Sequence, residues 1–148
     1  MKVLVTGYTG QLGYDVVRVG LKSDQEIVGV SSKDLDITDK RNVEEFVKKM
    51  KPDVIIHCAA YTAVDKAEDN KKDCYNVNVN GTKHLAEIGK SINAKFVYIS
   101  TDYVFDGKGD LPFTEKSLPN PINYYGETKY EGEHIVRELI EKHFIIRI

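Results

Sequence analysis

Two groups of residues in this 148-residue chain could do chemistry together. Tyr125 and Lys129 stand four apart in Asn123-Tyr124-Tyr125-Gly126-Glu127-Thr128-Lys129, a stretch that reads as the start of a helix. At that spacing both side chains share one face. An ammonium beside a phenol favours phenolate, lowering the tyrosine pKa from about 10 towards neutrality, and such a phenol can exchange a proton with a carbonyl oxygen. Tyr124 has Thr128 and Tyr130 has His134 at the same offset, so only Tyr125 has a lysine. Alone, the pair also describes an ordinary helix surface. The second group is Gly7, Gly10 and Gly13, after the apolar run Val3-Leu4-Val5. Lacking a Cβ, glycines let a strand-to-helix turn bend tightly and bring backbone N–H groups to a pyrophosphate, with the helix N-terminus aimed at the same anion. The spacing is Gly-x-x-Gly-x-x-Gly, one position displaced from the dinucleotide fingerprint, and three glycines alone fit an ordinary turn equally well.

The elements that must position these groups follow from apolar periodicity. Leu12, Val16, Val17 and Leu21 predict a first helix. Glu26 to Val30 reads as a second strand and Asp34 to Asp39 as a short edge strand running into a helix cap at Asp39 or Thr38. Val43, Phe46, Val47 and Met50 mark a helix that Pro52 stops, and Asp53 to Cys58 is a buried strand ending in Ala59-Ala60-Tyr61-Thr62. A long helix is expected from about Asp73 to Ile92; Asn76, Asn78 and Asn80 in its first half are poor helix formers, implying strain or a hydrogen-bonding role. Lys95 to Ser100 is a strand, Thr101 to about Asn120 a loop over the strand ends, Asn123 to Lys142 a helix, and Phe144 to Ile148 a last strand. This alternation predicts an α/β fold, a doubly wound parallel sheet of order 3-2-1-4-5-6, in one domain over residues 1–148. Such Rossmann sheets bind dinucleotides at the strands' C-terminal ends. An acidic residue after the second strand would select NAD; Ser31, Ser32 and Lys33 stand there instead and favour NADPH, with NADH as the alternative.

A formal net charge of −2 gives no general attraction to nucleic acid or acidic membranes. No apolar run nears the ~20 residues of a membrane span, and the N-terminus does not read as a signal peptide. Two cysteines, Cys58 and Cys74, make neither a metal motif nor a disulfide framework, and the four histidines show no ligand spacing, so no metal is expected in what reads as a cytoplasmic protein.

Taken in order, Gly7-x-x-Gly10-x-x-Gly13, Ala59-Ala60, Ser100-Thr101 and Tyr125-x-x-x-Lys129 resemble the short-chain dehydrogenase/reductases of the extended type. The chain is similar, more narrowly, to the dTDP-4-dehydrorhamnose reductases. That likeness rests on Gly7-Tyr8-Thr9-Gly10-Gln11-Leu12-Gly13, Asp36-Ile37-Thr38-Asp39, Pro52-Asp53-Val54-Ile55, the run from Ala59 to Glu68, Ser100-Thr101-Asp102-Tyr103-Val104-Phe105, and Asn123-x-Tyr125-Gly126-x-Thr128-Lys129 with Gly132-Glu133. The resemblance implies hydride transfer from NADPH or NADH to the C4 ketone of a dTDP-4-keto-6-deoxy sugar, giving dTDP-L-rhamnose. It also implies roles. Tyr125 protonates the C4 alkoxide, Lys129 holds the nicotinamide ribose and lowers the Tyr125 pKa, and Thr101 hydrogen-bonds the sugar with Asp102 beside it. Gly10, Gln11 and Leu12 cradle the pyrophosphate, Asp36 and Ile37 border the adenine, and Ala59 to Thr62 line the middle of the cofactor. Val64 and Asp65 face the sugar or serve as loop packing. Members of the family continue into a smaller substrate-gripping domain, expected to be absent from this chain; a homodimer is left open. Two other readings remain: a regulatory dinucleotide-binding module resembling the methionine adenosyltransferase regulatory subunit, and a nucleotide-sugar epimerase or dehydratase. The intact Thr101, Tyr125 and Lys129 argue against the first. Asp102 is present, but Tyr103 follows where a second carboxylate would serve a dehydratase, which leaves reduction ahead.

Overall fold

A computed structural model describes residues 1–148. Five parallel strands form one sheet: β1 (Lys2–Thr6), β2 (Glu26–Val30), β3 (Val54–His57), β4 (Lys95–Ser100) and β5 (His143–Arg147), in the order β2-β1-β3-β4-β5. Alternate residues of β1 face opposite layers. Leu4 joins the larger core with Ile55, Phe96 and Tyr98, beneath α2 (Lys40–Met50), α5 (Thr82–Ser91) and α6 (Tyr124–Leu139). Val3 and Val5 face the other way with Val54, where Val16 and Val17 of α1 (Gln11–Gly20) pack on them. The doubly wound parallel sheet is therefore as expected. Its second face is covered by α1 alone, and Phe144 and Ile146 of β5 are exposed.

The expected edge strand at Asp34 to Asp39 does not form. Leu35 and Ile37 do bury, at the alternate spacing that suggested a strand, yet the N–H groups of Asp34 and Leu35 both turn back to the Ser31 carbonyl, at 3.1 and 2.9 Å. The sheet thus keeps the anticipated order without its third strand. In α1, Val16 and Val17 pack as expected, whereas Leu12 and, just past the helix end, Leu21 are exposed. The helix expected from Asp73 is interrupted. Short helices α3 (Val64–Asp69) and α4 (Lys71–Tyr75) lead into a π-helical turn, Asn76–Gly81, before α5. A Cβ at Gly81 would lie 2.7 Å from Ile37 Cδ1, so glycine is what lets this turn settle on the loop beyond β2. No helix is long and apolar enough to cross a membrane.

Candidate active site

The glycine turn and the Tyr125–Lys129 pair lie on one cavity. Gly7, Gly10, Gln11, Leu12 and Gly13 line one side of a space of about 570 Å³, and Thr101, Tyr125 and Lys129 line another, with Ala60 and Thr62 between them. The glycine turn has this shape because side chains cannot fit it. Gly7 has φ +71°, in the left-handed region, and a Cβ there would lie 2.7 Å from the Ala59 backbone. A Cβ on Gly13 would lie 2.3 Å from the Gly7 carbonyl oxygen. The close approach brings the first turn of α1 to the strand end with its donors unspent. Gly10 gives no side-chain cap, and the N–H groups of Gln11, Leu12 and Gly13 have no acceptor in the protein. Three free N–H groups at a helix N-terminus suit an anion such as a pyrophosphate.

The other wall is built by β4 and α6. Asn123 caps α6, its side-chain oxygen accepting from Gly126 N–H at 2.8 Å, which starts the helix so that Tyr125 and Lys129 both turn inward. A Cβ on Gly126 would lie 2.2 Å from the Tyr103 carbonyl oxygen, so this turn sits directly against the loop after β4. Tyr125 is 8 % exposed, its ring edge-on to Tyr103 at 5.7 Å. Lys129 is 2 % exposed, and its Nζ donates to the Ile99 carbonyl oxygen at 2.7 Å and lies 4.2 Å above the Tyr98 ring.

The electrostatics differ from the simple pair expected from sequence. Lys129 has not lowered the Tyr125 pKa. Burial holds the Tyr125 phenol above its ordinary range, with the Thr101 hydroxyl pulling the other way, and the ammonium is committed to Ile99. Burial also pulls Lys129 down to about 7, against the opposing charge of Glu133. That carboxylate is fully buried and accepts from Arg147 Nε and Nη2 at 2.8 and 2.7 Å, and from Arg137 at 3.0 Å. Although burial acts to raise its pKa, these partners hold it below the usual carboxylate value. Cys58 lines the same cavity, but burial pushes its thiol up to about 11, where little nucleophilic thiolate exists.

A buried polar network ties the two walls together. Thr6 Oγ1 and His57 Nδ1 lie 2.8 Å apart, and His57 Nε2 and Thr82 Oγ1 3.1 Å apart. Thr82 Oγ1 donates to the Asn78 carbonyl at 2.6 Å. Asn78 accepts from Tyr61 N–H at 2.8 Å and donates to Thr128 Oγ1 at 3.0 Å; Thr128 in turn donates to the Tyr125 carbonyl at 2.8 Å. Burial brings the His57 pKa down to about 3, so the imidazole is neutral. The run of asparagines signalled this role in the sequence; His57 and Thr82 gave no such signal.

Residues 1–148 match the family described as the RmlD substrate binding domain. The chain belongs to that family. Its likeness to the dTDP-4-dehydrorhamnose reductases extends to solved structures. The enzyme of that name from Clostridium acetobutylicum is 44% identical, with a TM-score of 0.97 over 99% of this chain and 52% of that one. The Bacillus anthracis enzyme, solved in complex with NADP, is 42% identical, with a TM-score of 0.95 over 99% of this chain and 52% of that one. Among curated proteins, the dTDP-4-dehydrorhamnose reductase of Aggregatibacter actinomycetemcomitans is 38% identical over 99% of this chain and 50% of its own length. The chain spans about half the length of the curated relatives it matches.

In this RmlD-family chain the remaining expected residues lie off the cavity. Ala59 packs beneath Gly7 and donates its N–H to Thr6 Oγ1 at 3.3 Å. Tyr61 is held by Asn78, and Val64 packs with Tyr61 against the cluster around Tyr125. Asp36 accepts from the Thr38 N–H and hydroxyl, and Ile37 points into the core. Asp102 borders a second cavity of about 700 Å³ with Phe105, Phe113 and Arg147. The sequence reading missed Asp15, Cys58, Ile99 and Ile148 on the first cavity and passed over Ser100, which also lines it but whose Oγ is buried and faces the Glu133 carboxylate. Three free helix N–H groups and a lysine form a donor set that fits the phosphates and hydroxyls of a dinucleotide.

Proposed function

We propose that this chain is the dinucleotide-binding part of a cytoplasmic NADPH-dependent reductase acting on a dTDP-4-keto-6-deoxy sugar, the reaction of the dTDP-4-dehydrorhamnose reductases. One observation carries the reading: the donor-lined glycine turn and the Tyr125–Lys129 face border the same cavity. A reduced nicotinamide held there supplies hydride to C4 of the sugar. The N–H groups of Gln11, Leu12 and Gly13 bind the pyrophosphate. Lys129 holds the nicotinamide ribose and contributes positive charge next to a di-anionic ligand. Thr101 positions the ketone oxygen, and Tyr125 gives its proton to the alkoxide as it forms. Burial favours this assignment, because a phenol held above its ordinary pKa keeps its proton at neutral pH until a stronger base develops beside it. Bound ligand anions add negative charge around Lys129 and raise its pKa from about 7.

The test is NADPH oxidation with dTDP-4-keto-6-deoxy-L-mannose as substrate. Tyr125→Phe should lower turnover by about 100-fold or more while NADPH affinity stays within about twofold of wild type. Equal turnover in the two proteins would remove Tyr125 as proton donor.

A further inference from the structure

We propose that Asp34 sets the choice between phosphorylated and unphosphorylated dinucleotide, by occupying the donors that a 2′-phosphate would use. The inference rests on the reading that the cavity holds a nicotinamide dinucleotide, whose adenosine ribose lies by the end of β2 in folds of this kind.

The turn after β2 sits directly against the glycine turn. Gly7 and Tyr8 both donate their N–H to the Val30 carbonyl, at 2.9 and 3.3 Å, so Ser31 emerges beside the phosphate-binding loop. From sequence, Ser31, Ser32 and Lys33 offered two hydroxyls and an ammonium to a 2′-phosphate. The structure shows Ser31 already engaged. Its N–H and its Oγ both donate to Asp34 Oδ2, at 2.9 and 2.6 Å, and its Oγ accepts from Lys33 N–H at 3.2 Å. Two converging donors thus already hold an anion, and it belongs to the protein. The Ser31 hydroxyl, then its N–H, hold Asp34 below the usual carboxylate range, so the charge is present at neutral pH.

The two forms of the dinucleotide meet this turn differently. A 2′-phosphate needs the Ser31 donors and must displace the carboxylate or lie against a like charge. A 2′-hydroxyl needs an acceptor, and Asp34 Oδ1 has no partner in the protein. Lys33, exposed and in no ion pair, favours the phosphate. The third charged group of the loop, Asp36, spends its Oδ1 on Thr38. Asp34 and Lys33 therefore oppose each other, and the balance between the cofactors is narrow.

Calorimetric titration of the purified chain with NADPH and with NADH tests this. Asp34→Asn should shift the ratio of dissociation constants towards NADPH by about tenfold. Lys33→Ala should shift it the other way, by a smaller factor that shrinks as salt is raised. An unchanged ratio in Asp34→Asn overturns the assignment of Asp34 while leaving the dinucleotide reading in place. Failure of wild type to bind either compound overturns both.

Discussion

Helices α1 and α2 have 10 and 11 residues and leave the same sheet, yet their N-termini are finished in opposite ways. In α2, Asp39 accepts from the N–H groups of Arg41 and Asn42 at 3.0 and 3.1 Å, the usual way of satisfying the first turn. In α1 the equivalent position is Gly10, no side chain returns to the helix, and three N–H groups stay free. A capping side chain at that position stabilises a helix by only about a few tenths of a kcal/mol relative to glycine, and α1 forgoes that stability on the cavity wall that would hold the pyrophosphate. The same contrast separates the larger core from the rest of the site. The core beneath α2, α5 and α6 is closed around apolar side chains, whereas the site contains three unpaired helix N–H groups and a lysine whose charge is opposed by burial. Groups left incomplete in the chain are those that a ligand can complete.

The largest effect expected from breaking this contrast concerns Lys129. Its pKa in the folded protein is about 7, well below the unfolded value of a lysine, so between pH 7 and about pH 10 the unfolded state binds more protons. The cost of burying the charge is complete below pH 7 and disappears as pH rises through that window. Lys129→Met should therefore be the more stable protein at pH 7, by an amount on the order of 3 kcal/mol, and the difference should vanish towards pH 10. Urea unfolding of both proteins across that range reads it directly. Next in size is Gly10→Asp, which gives α1 the cap that α2 has. The Gly10 backbone, with φ −80° and ψ 165°, suits any residue, and a Cβ there would lie 3.3 Å from the Gly7 carbonyl oxygen. The variant should stay within about 0.5 kcal/mol of wild-type stability, the new cap offsetting that tight contact, and lose about 100-fold in NADPH affinity because its carboxylate would occupy the place of the anion. Smallest is Asp39→Ala, which should cost about 1 kcal/mol in unfolding free energy and leave NADPH affinity unchanged. A loss of affinity there would erase the distinction between the two helix ends.

Much of this contrast was legible in the sequence because it is local. Val43, Phe46, Val47 and Met50 repeat at helical spacing and all pack in or against the larger core. The glycine spacing located the turn, and the expected order of motifs located the family. The parts that were not legible depend on partners far along the chain. Asp34 to Asp39 alternates like a strand and buries Leu35 and Ile37 accordingly, but burial pattern cannot say whether a backbone N–H meets a neighbouring strand or its own Ser31 carbonyl. Helical spacing placed Tyr125 and Lys129 on one face, whereas the Ile99 carbonyl that takes the ammonium comes from β4. Glu133 is neutralised by Arg147 of β5, an ion pair that no local pattern announces.

The most direct test of the shared site is amide NMR of the 15N-labelled chain during titration with NADPH. The amides of Gln11, Leu12 and Gly13 and those of Thr101, Tyr125 and Lys129 should shift together along one saturation curve. Saturable binding that leaves Gln11, Leu12 and Gly13 in place would contradict it.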